Sequence, residues 1–188
     1  MLIVITVLTG VLYPLAVTGI AHVAFSSRAN GSMVTSKGRI VGSSLIGQNF
    51  TDAKGNPIAK YFQPRPSAAG TNGYDALASG GSNLGPSNPK LLTVVADRVA
   101  AYRAFNGLAP NATVPVDAVT ASASGLDPDI SLANALDQAP RVARARGLTL
   151  DRVVALVQAH VRDRTWGFLG ENTVNVLLLN LALDGVSR

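Results

Sequence analysis

The candidates for holding a divalent cation or moving a proton are Asp117, Asp127, Asp129, His160 and Glu171. Converging carboxylates would suit a hard cation, and an imidazole beside a carboxylate would suit acid–base work. Each has a structural reading as well. Asp127 precedes Pro128 in a turn, Asp129 stands two residues before a helix-capping Ser131, and His160 falls on the apolar side of a helix. The run Ser79, Gly80, Gly81, Ser82 and Asn83 has the amide density to cradle a phosphate but lacks the Lys and Ser/Thr of a P-loop, so it reads first as a flexible loop. With no cysteine, thiolate metal sites and disulfide scaffolds are excluded. No nucleophile, base and orienting group can be assembled from these residues. Three Asn-x-Ser/Thr triplets, at Asn30, Asn49 and Asn111, are too short to carry weight alone.

The element that must position everything else is at the start. Residues 1 to 25 contain no Asp, Glu, Lys or Arg, and the first such charge is Arg28. At about 1.5 Å per residue the stretch is roughly 37 Å long, against a hydrocarbon thickness of about 30 Å. It reads as a transmembrane helix over residues 1–25. A cleaved signal would carry a basic leader, a shorter core and a better cleavage site than Ala24-Phe25-Ser26, and a buried core helix is the remaining alternative. Pro14 bends the span, and His22 sits near its polar end within reach of headgroups. Thr6, Gly10, Tyr13, Val17 and Ala21 recur at helical spacing and make one face, small at several positions, on which a partner helix can dock. Orientation is poorly specified: Arg28, Lys37 and Arg39 follow the span, so charge counting alone would put the C-terminal portion inside.

Residues 26–188 suffice for one compact domain. The net charge of +5 permits anionic partners, but no basic stripe interleaved with aromatics points to nucleic acid. Arg141, Arg144, Arg146, Arg152, Arg162 and Arg164 cluster mostly on amphipathic segments and read as a solvated face. Short strands are expected around Gly38 and Gly47 and ending near Tyr61 and Phe62. From 63 to 89 the chain is rich in Gly, Ser, Asn and Pro, a long loop of the kind that is functional or disordered. Asn88 and Pro89 then open a helix with Leu91, Leu92, Val95, Val99, Tyr102 and Phe105 on one face, closed by Asn106-Gly107. Ser131 caps a helix that Pro140 is expected to interrupt. Thr149 caps the next, with Leu148 and Val153 as a hydrophobic staple, and residues 174–183 read as a buried central helix. The fold class is therefore a single N-terminal transmembrane α-helix followed by one α+β soluble domain.

The ordered segments LTGVLYPLAVTGIAHVAF, VGSSLIGQNF, YFQPRPSAAG, SGGSNLGPSNPKL, VPVDAVTASASGLDPDIS, APRVARARGL and GFLGENTVNVLLLNLALD resemble the KdpC family, a component of the bacterial Kdp potassium-transporting P-type ATPase complex. The match runs from about residue 8 to Asp184. It departs at the start, where the family carries a few further, often basic, residues ahead of the helix, which would account for the misleading charge count. The resemblance implies a non-catalytic, single-pass component of the bacterial cytoplasmic (inner) membrane with its domain outside the cytoplasm. Its implied partners are the lipid bilayer, the K⁺-binding protein KdpA, the P-type ATPase KdpB and the small protein KdpF. The implied complex uses ATP, Mg²⁺ and K⁺, none held by KdpC itself, whose role is to stabilise assembly and regulate K⁺ entry. The alternative role is a nucleotide-binding module, with Ser79 to Asn83 as its site, that raises the ATP affinity of KdpB.

Overall fold

The computed structural model describes residues 1–186; the last two residues of the expected 26–188 domain lie outside the described residues. The chain divides into two compact units, 1–45 and 46 onward.

The first unit opens with a continuous helical span, Leu2–Ala24, none of which is buried within the chain. Its composition requires that: a run with no charged side chain has a polar face nowhere and must be solvated by lipid. The span comprises α1 (Leu2–Val7), a π turn (Leu8–Leu12) and α2 (Tyr13–Ala24). The π turn stands just ahead of Pro14, which has no N–H for the carbonyl of Gly10, and the amide of Tyr13 reaches back five residues to Leu8. A short helix α3 (Ser26–Ala29) precedes the antiparallel hairpin β1 (Met33–Ser36) and β2 (Arg39–Ser43). Lys37 and Gly38 at its tip both have positive φ, the pair of left-handed residues that a two-residue turn matched to strand twist demands.

The second unit is built on the three-stranded antiparallel sheet β3-β5-β4, with β3 at Asp129–Ser131, β4 at Val161–Arg162 and the central β5 at Thr173–Asn175. Its helices are α4 (Pro89–Asn106), α5 (Leu132–Arg146), α6 (Leu150–Ala159) and α7 (Val176–Asp184). The capping chemistry is as the sequence predicts. Side chains of Asn88, Ser131 and Thr149 accept hydrogen bonds from the amides of Lys90, Asn134 and Arg152, and left-handed Gly107 and Gly147 close α4 and α5. Ile130, Ala135, Ala139, Val142, Val153, Val157, Val174, Leu179 and Leu183 pack with Phe62 as the core.

Five expectations are corrected. Pro140 does not interrupt α5, which runs through it to Arg146 as a helix with an internal proline. The segment 174–183 is a strand residue pair followed by a helix, because the side chain of Asn175 caps α7 by accepting from the amide of Leu178. Leu92 is exposed rather than on the packed side of α4. No strand forms at Gly47: its amide donates to the carbonyl of Leu126, and the ring of Tyr74 lies so close that a Cβ would stand 2.3 Å from it. None forms at Tyr61 and Phe62 either, where a side-chain carboxamide takes both backbone groups of Phe62.

Residues 63–88 carry no helix or strand, yet the segment is pinned by its own side chains. The Ser67 hydroxyl donates to the carbonyl of Gly125 and accepts from the amides of Ala69 and Tyr74. The Tyr74 hydroxyl donates to the carbonyl of Arg65, and Arg65 pairs with Asp127 at 2.9 Å.

Candidate docking and binding surfaces

The carboxylates are engaged in structural work. Asp117 accepts from the amide and hydroxyl of Ser131 and from the side chain of Asn134, fixing the first turn of α5. Asp127 pairs with Arg65 and accepts from the amide of Asp129, while Asp129 accepts from Arg162 and from Asn175. His160 and Glu171 take different partners: the His160 Nδ1 lies 2.8 Å from the carbonyl of Leu156, and Glu171 pairs with Arg164 at 2.8 Å. Among the described residues, no three His, Cys, Asp or Glu side chains converge on a point where an ion would sit.

The glycine-rich run lies along residues 122–125. The amide of Gly80 and the hydroxyl of Ser79 both donate to the carbonyl of Ser124, and a Cβ on Gly81 would stand 3.0 Å from the carbonyl of Ala123. Gly125 is required on the other side, with φ at +68° and the carbonyl of Gly80 2.7 Å from where a Cβ would be. A phosphate cradle needs amides that point at empty space. The Gly80 amide is committed to protein. Ser82, Lys90, Arg98 and Thr120 do line a neighbouring cleft of about 400 Å³, and burial pulls Arg98 below its ordinary pKa.

The span positions the other candidate set. Thr6, Gly10, Tyr13 and Val17 are exposed, Ala21 is partly covered, and a Cβ on Gly10 would meet nothing. The π turn falls between Thr6 and Tyr13, so the even progression of a 3.6-residue helix is broken within the stripe, and Gly10 lies inside the widened turn. The Thr9 hydroxyl donates to the carbonyl of Ile5 at 2.8 Å, which leaves that polar group satisfied in a lipid environment.

What the sequence did not disclose is a polar core. Phe62 is fully buried, and its amide and carbonyl are both taken by the side chain of Asn180 on α7, at 2.9 Å each. Next along, Gln63 is held by Gln138 on α5, which accepts from its amide at 2.7 Å and donates to its carbonyl at 3.0 Å. Two carboxamides thus do for this segment what a neighbouring strand would do, which is why no strand pairing is needed there. One helical turn beyond Gln138, Arg141 is buried and has no carboxylate partner among the described residues. Its guanidinium donates to the carbonyls of Ala59 and Tyr61 and to Asn106 and Gln138, and lies 4.3 Å from the centre of the Phe105 ring. Burial pulls its pKa down to about 10. Arg146 likewise reaches the carbonyls of Lys60 and Leu183 and the Asp184 carboxylate. The arginine cluster is therefore not simply a solvated face: a planar donor fork satisfied by carbonyls can be interior. Burial likewise holds the hydroxyls of Tyr74 and Tyr102 above the ordinary tyrosine range, reinforced by Asp127 for the first and by Asp137 and Asp117 for the second.

Fold and surfaces together define a membrane protein with one N-terminal span and a mixed helix-and-sheet region. A family model described as K⁺-transporting ATPase, c chain (KdpC), matches residues 1–185. Over 184 residues the chain is 57% identical to the potassium-transporting ATPase KdpC subunit of Mycobacterium tuberculosis strain H37Rv, covering 98% of this chain and 94% of that protein. It is 58% identical over 181 residues to the subunit of the same name from Variovorax paradoxus, covering 96% and 90%, and 57% identical over 183 residues to that from Methylibium petroleiphilum, covering 96% and 91%. The chain belongs to the KdpC family of K⁺-transporting ATPase subunits.

Proposed function

We propose that this chain is the accessory KdpC component of an ATP-driven K⁺ uptake pump, and that it works by holding the assembled complex together and regulating K⁺ entry rather than by chemistry of its own. ATP hydrolysis then belongs to the P-type ATPase KdpB and ion selection to KdpA, with KdpF as a further partner. The domain stands outside the cytoplasm, on the side from which K⁺ enters, and the ATP, Mg²⁺ and K⁺ of the complex are bound elsewhere. The observation that carries the reading is the family match over residues 1–185 in a chain whose candidate chemical side chains are spent on caps and turns. The committed Gly80 amide weighs against Ser79 to Asn83 as a nucleotide cradle.

On this reading Thr6, Gly10, Tyr13, Val17 and Ala21 form the surface against which a partner helix packs. Thr6→Leu with Gly10→Leu is expected to reduce recovery of the complex on purification; undiminished recovery would remove that assignment. Ser82→Cys, probed with a membrane-impermeant thiol reagent on intact spheroplasts, reports the side of the membrane. Labelling is expected. Protection of the intact cells' Cys together with ATP-dependent protection in opened ones would instead support the nucleotide reading.

A further inference from the structure

The largest exposed aromatic feature of the second unit lies between β4 and β5. There the chain turns through a closed tip, Thr165 to Leu169, in which the Thr165 amide donates to the Leu169 carbonyl at 2.9 Å and the Leu169 amide donates back at 3.0 Å. The Gly167 amide is taken by the carbonyl of Arg164. With its backbone satisfied internally, the tip presents three large apolar side chains to solvent: Trp166 is 82% exposed, Phe168 68% and Leu169 47%. The two rings lie against each other with centres 6.5 Å apart. Trp166 has φ at +56°, a left-handed conformation that costs a bulky residue energy and is not repaid by any burial of its ring. A strained, preformed tip carrying paired aromatics is the anatomy of an anchor residue set, since rigid aromatics lose little entropy on docking.

The charges around the tip choose between its two candidate occupants, protein and lipid. Arg162 is paired with Asp129, Arg164 with Glu171, and Asp163 adds a third carboxylate against the two guanidiniums. Beside the tip, Asp163, Arg164, Glu171, Asn172, Leu132 and Ala133 line a cleft of mixed polar and apolar character, about 770 Å³ in volume. Anionic headgroups favour basic collars and are repelled by this one. An apolar core with a polar, charge-bearing rim is instead the pattern of a protein interface.

We infer that the Trp166–Phe168 tip is a docking anchor for a sister protein of the pump, one that offers an apolar socket with a neutral to basic rim. The inference rests on the proposed role in assembly. It predicts that Trp166→Ser with Phe168→Ser, in the full-length chain expressed with its partner proteins, lowers their retention through washing by about tenfold or more, the usual consequence of losing two aromatic anchors. Unfolding of the variant chain alone, measured in detergent, should match wild type. A photo-crosslinking amino acid at position 166 should give an adduct with a partner protein of the pump, which tests the contact even where the double variant folds poorly. Trp166 is the sole tryptophan, so the chain alone in vesicles containing brominated phosphatidylcholine reports lipid contact directly, and its emission should stay unquenched. Undiminished retention, absence of a protein adduct, or quenching by the brominated lipid would each overturn the inference. Failure of the wild-type chain to retain any partner would instead overturn the assembly reading beneath it.

Discussion

The two units solve the problem of apolar surface in opposite ways. In the unit of residues 1–45 no residue is buried, and the span leaves its Leu, Ile and Val side chains for the bilayer to cover. The unit from residue 46 onward covers its own, but around a core in which Asn134, Gln138, Arg141, Asn175 and Asn180 are as buried as the leucines. The first needs only composition and length to be specified. The second depends on particular polar partners, and all of its buried side-chain polar atoms have them among the described residues. Loss of a single polar side chain should therefore be felt strongly in the second unit and hardly at all in the first.

The largest expected effect is at Asn180. Asn180→Leu strips partners from both main-chain groups of the buried Phe62 and should destabilise the domain by about 3 kcal/mol. Urea unfolding in detergent reads the loss, while helicity from the span stays unchanged; a joint loss would break the contrast between the units.

Next comes alkaline pH. The hydroxyls of Tyr74 and Tyr102 keep their protons in the folded state above the value near 10 at which an unfolded tyrosine loses them. Above that pH the unfolded state binds fewer protons, so stability falls as pH rises, by about 1.4 kcal/mol per unit for each tyrosine. Arg141 acts in the other direction: burial lowers its guanidinium below the ordinary arginine value, which offsets part of that decline. The expected net is a decline in stability as pH rises above 10, and a shallower one in Tyr102→Phe. A pH titration of the unfolding midpoint checks it, and a rise in stability would contradict the sign.

Smaller again, Ser131→Ala removes a cap and a hydrogen bond to Asp117 and should cost about 1 kcal/mol in the same assay. Smallest is Pro14→Ala, which restores the missing N–H at the π turn and should change domain unfolding by less than about 0.5 kcal/mol. A larger change would mean that the span and the domain unfold together.

The same contrast explains what was legible beforehand. The span, the caps at Asn88, Ser131 and Thr149, and the glycine stop at Gly107 are local signals, each readable within a few residues. A strand was expected around Gly38, where the chain instead makes the turn between the two strands β1 and β2. Strands were expected at Gly47 and Phe62 because apolar alternation there has the right period, but the partners those backbones take, Leu126 and Asn180, are far along the chain and leave no local trace. Pro140 misled because a helix packed on a core by Ala139, Val142 and Ala143 tolerates the loss of one internal bond. Asn180 stood out as a polar residue in an apolar helix, yet only its partner gives it a purpose. The aromatic tip gave still less warning, since exposure is not written in residue type.

The clamp between Phe62 and Asn180 also bears on how the chain is made. The two residues are 118 positions apart, and the helix that supplies the clamp is the last element among the described residues. A ribosome will have released the membrane span long before it delivers α7, so the domain must wait, tethered and open, with its apolar strands uncovered. Closure waits for the delivery of α7. An interruption a few residues short of Asn180 would leave an anchored but unfinished domain, a state that the cell's quality control can recognise by the surface it still shows.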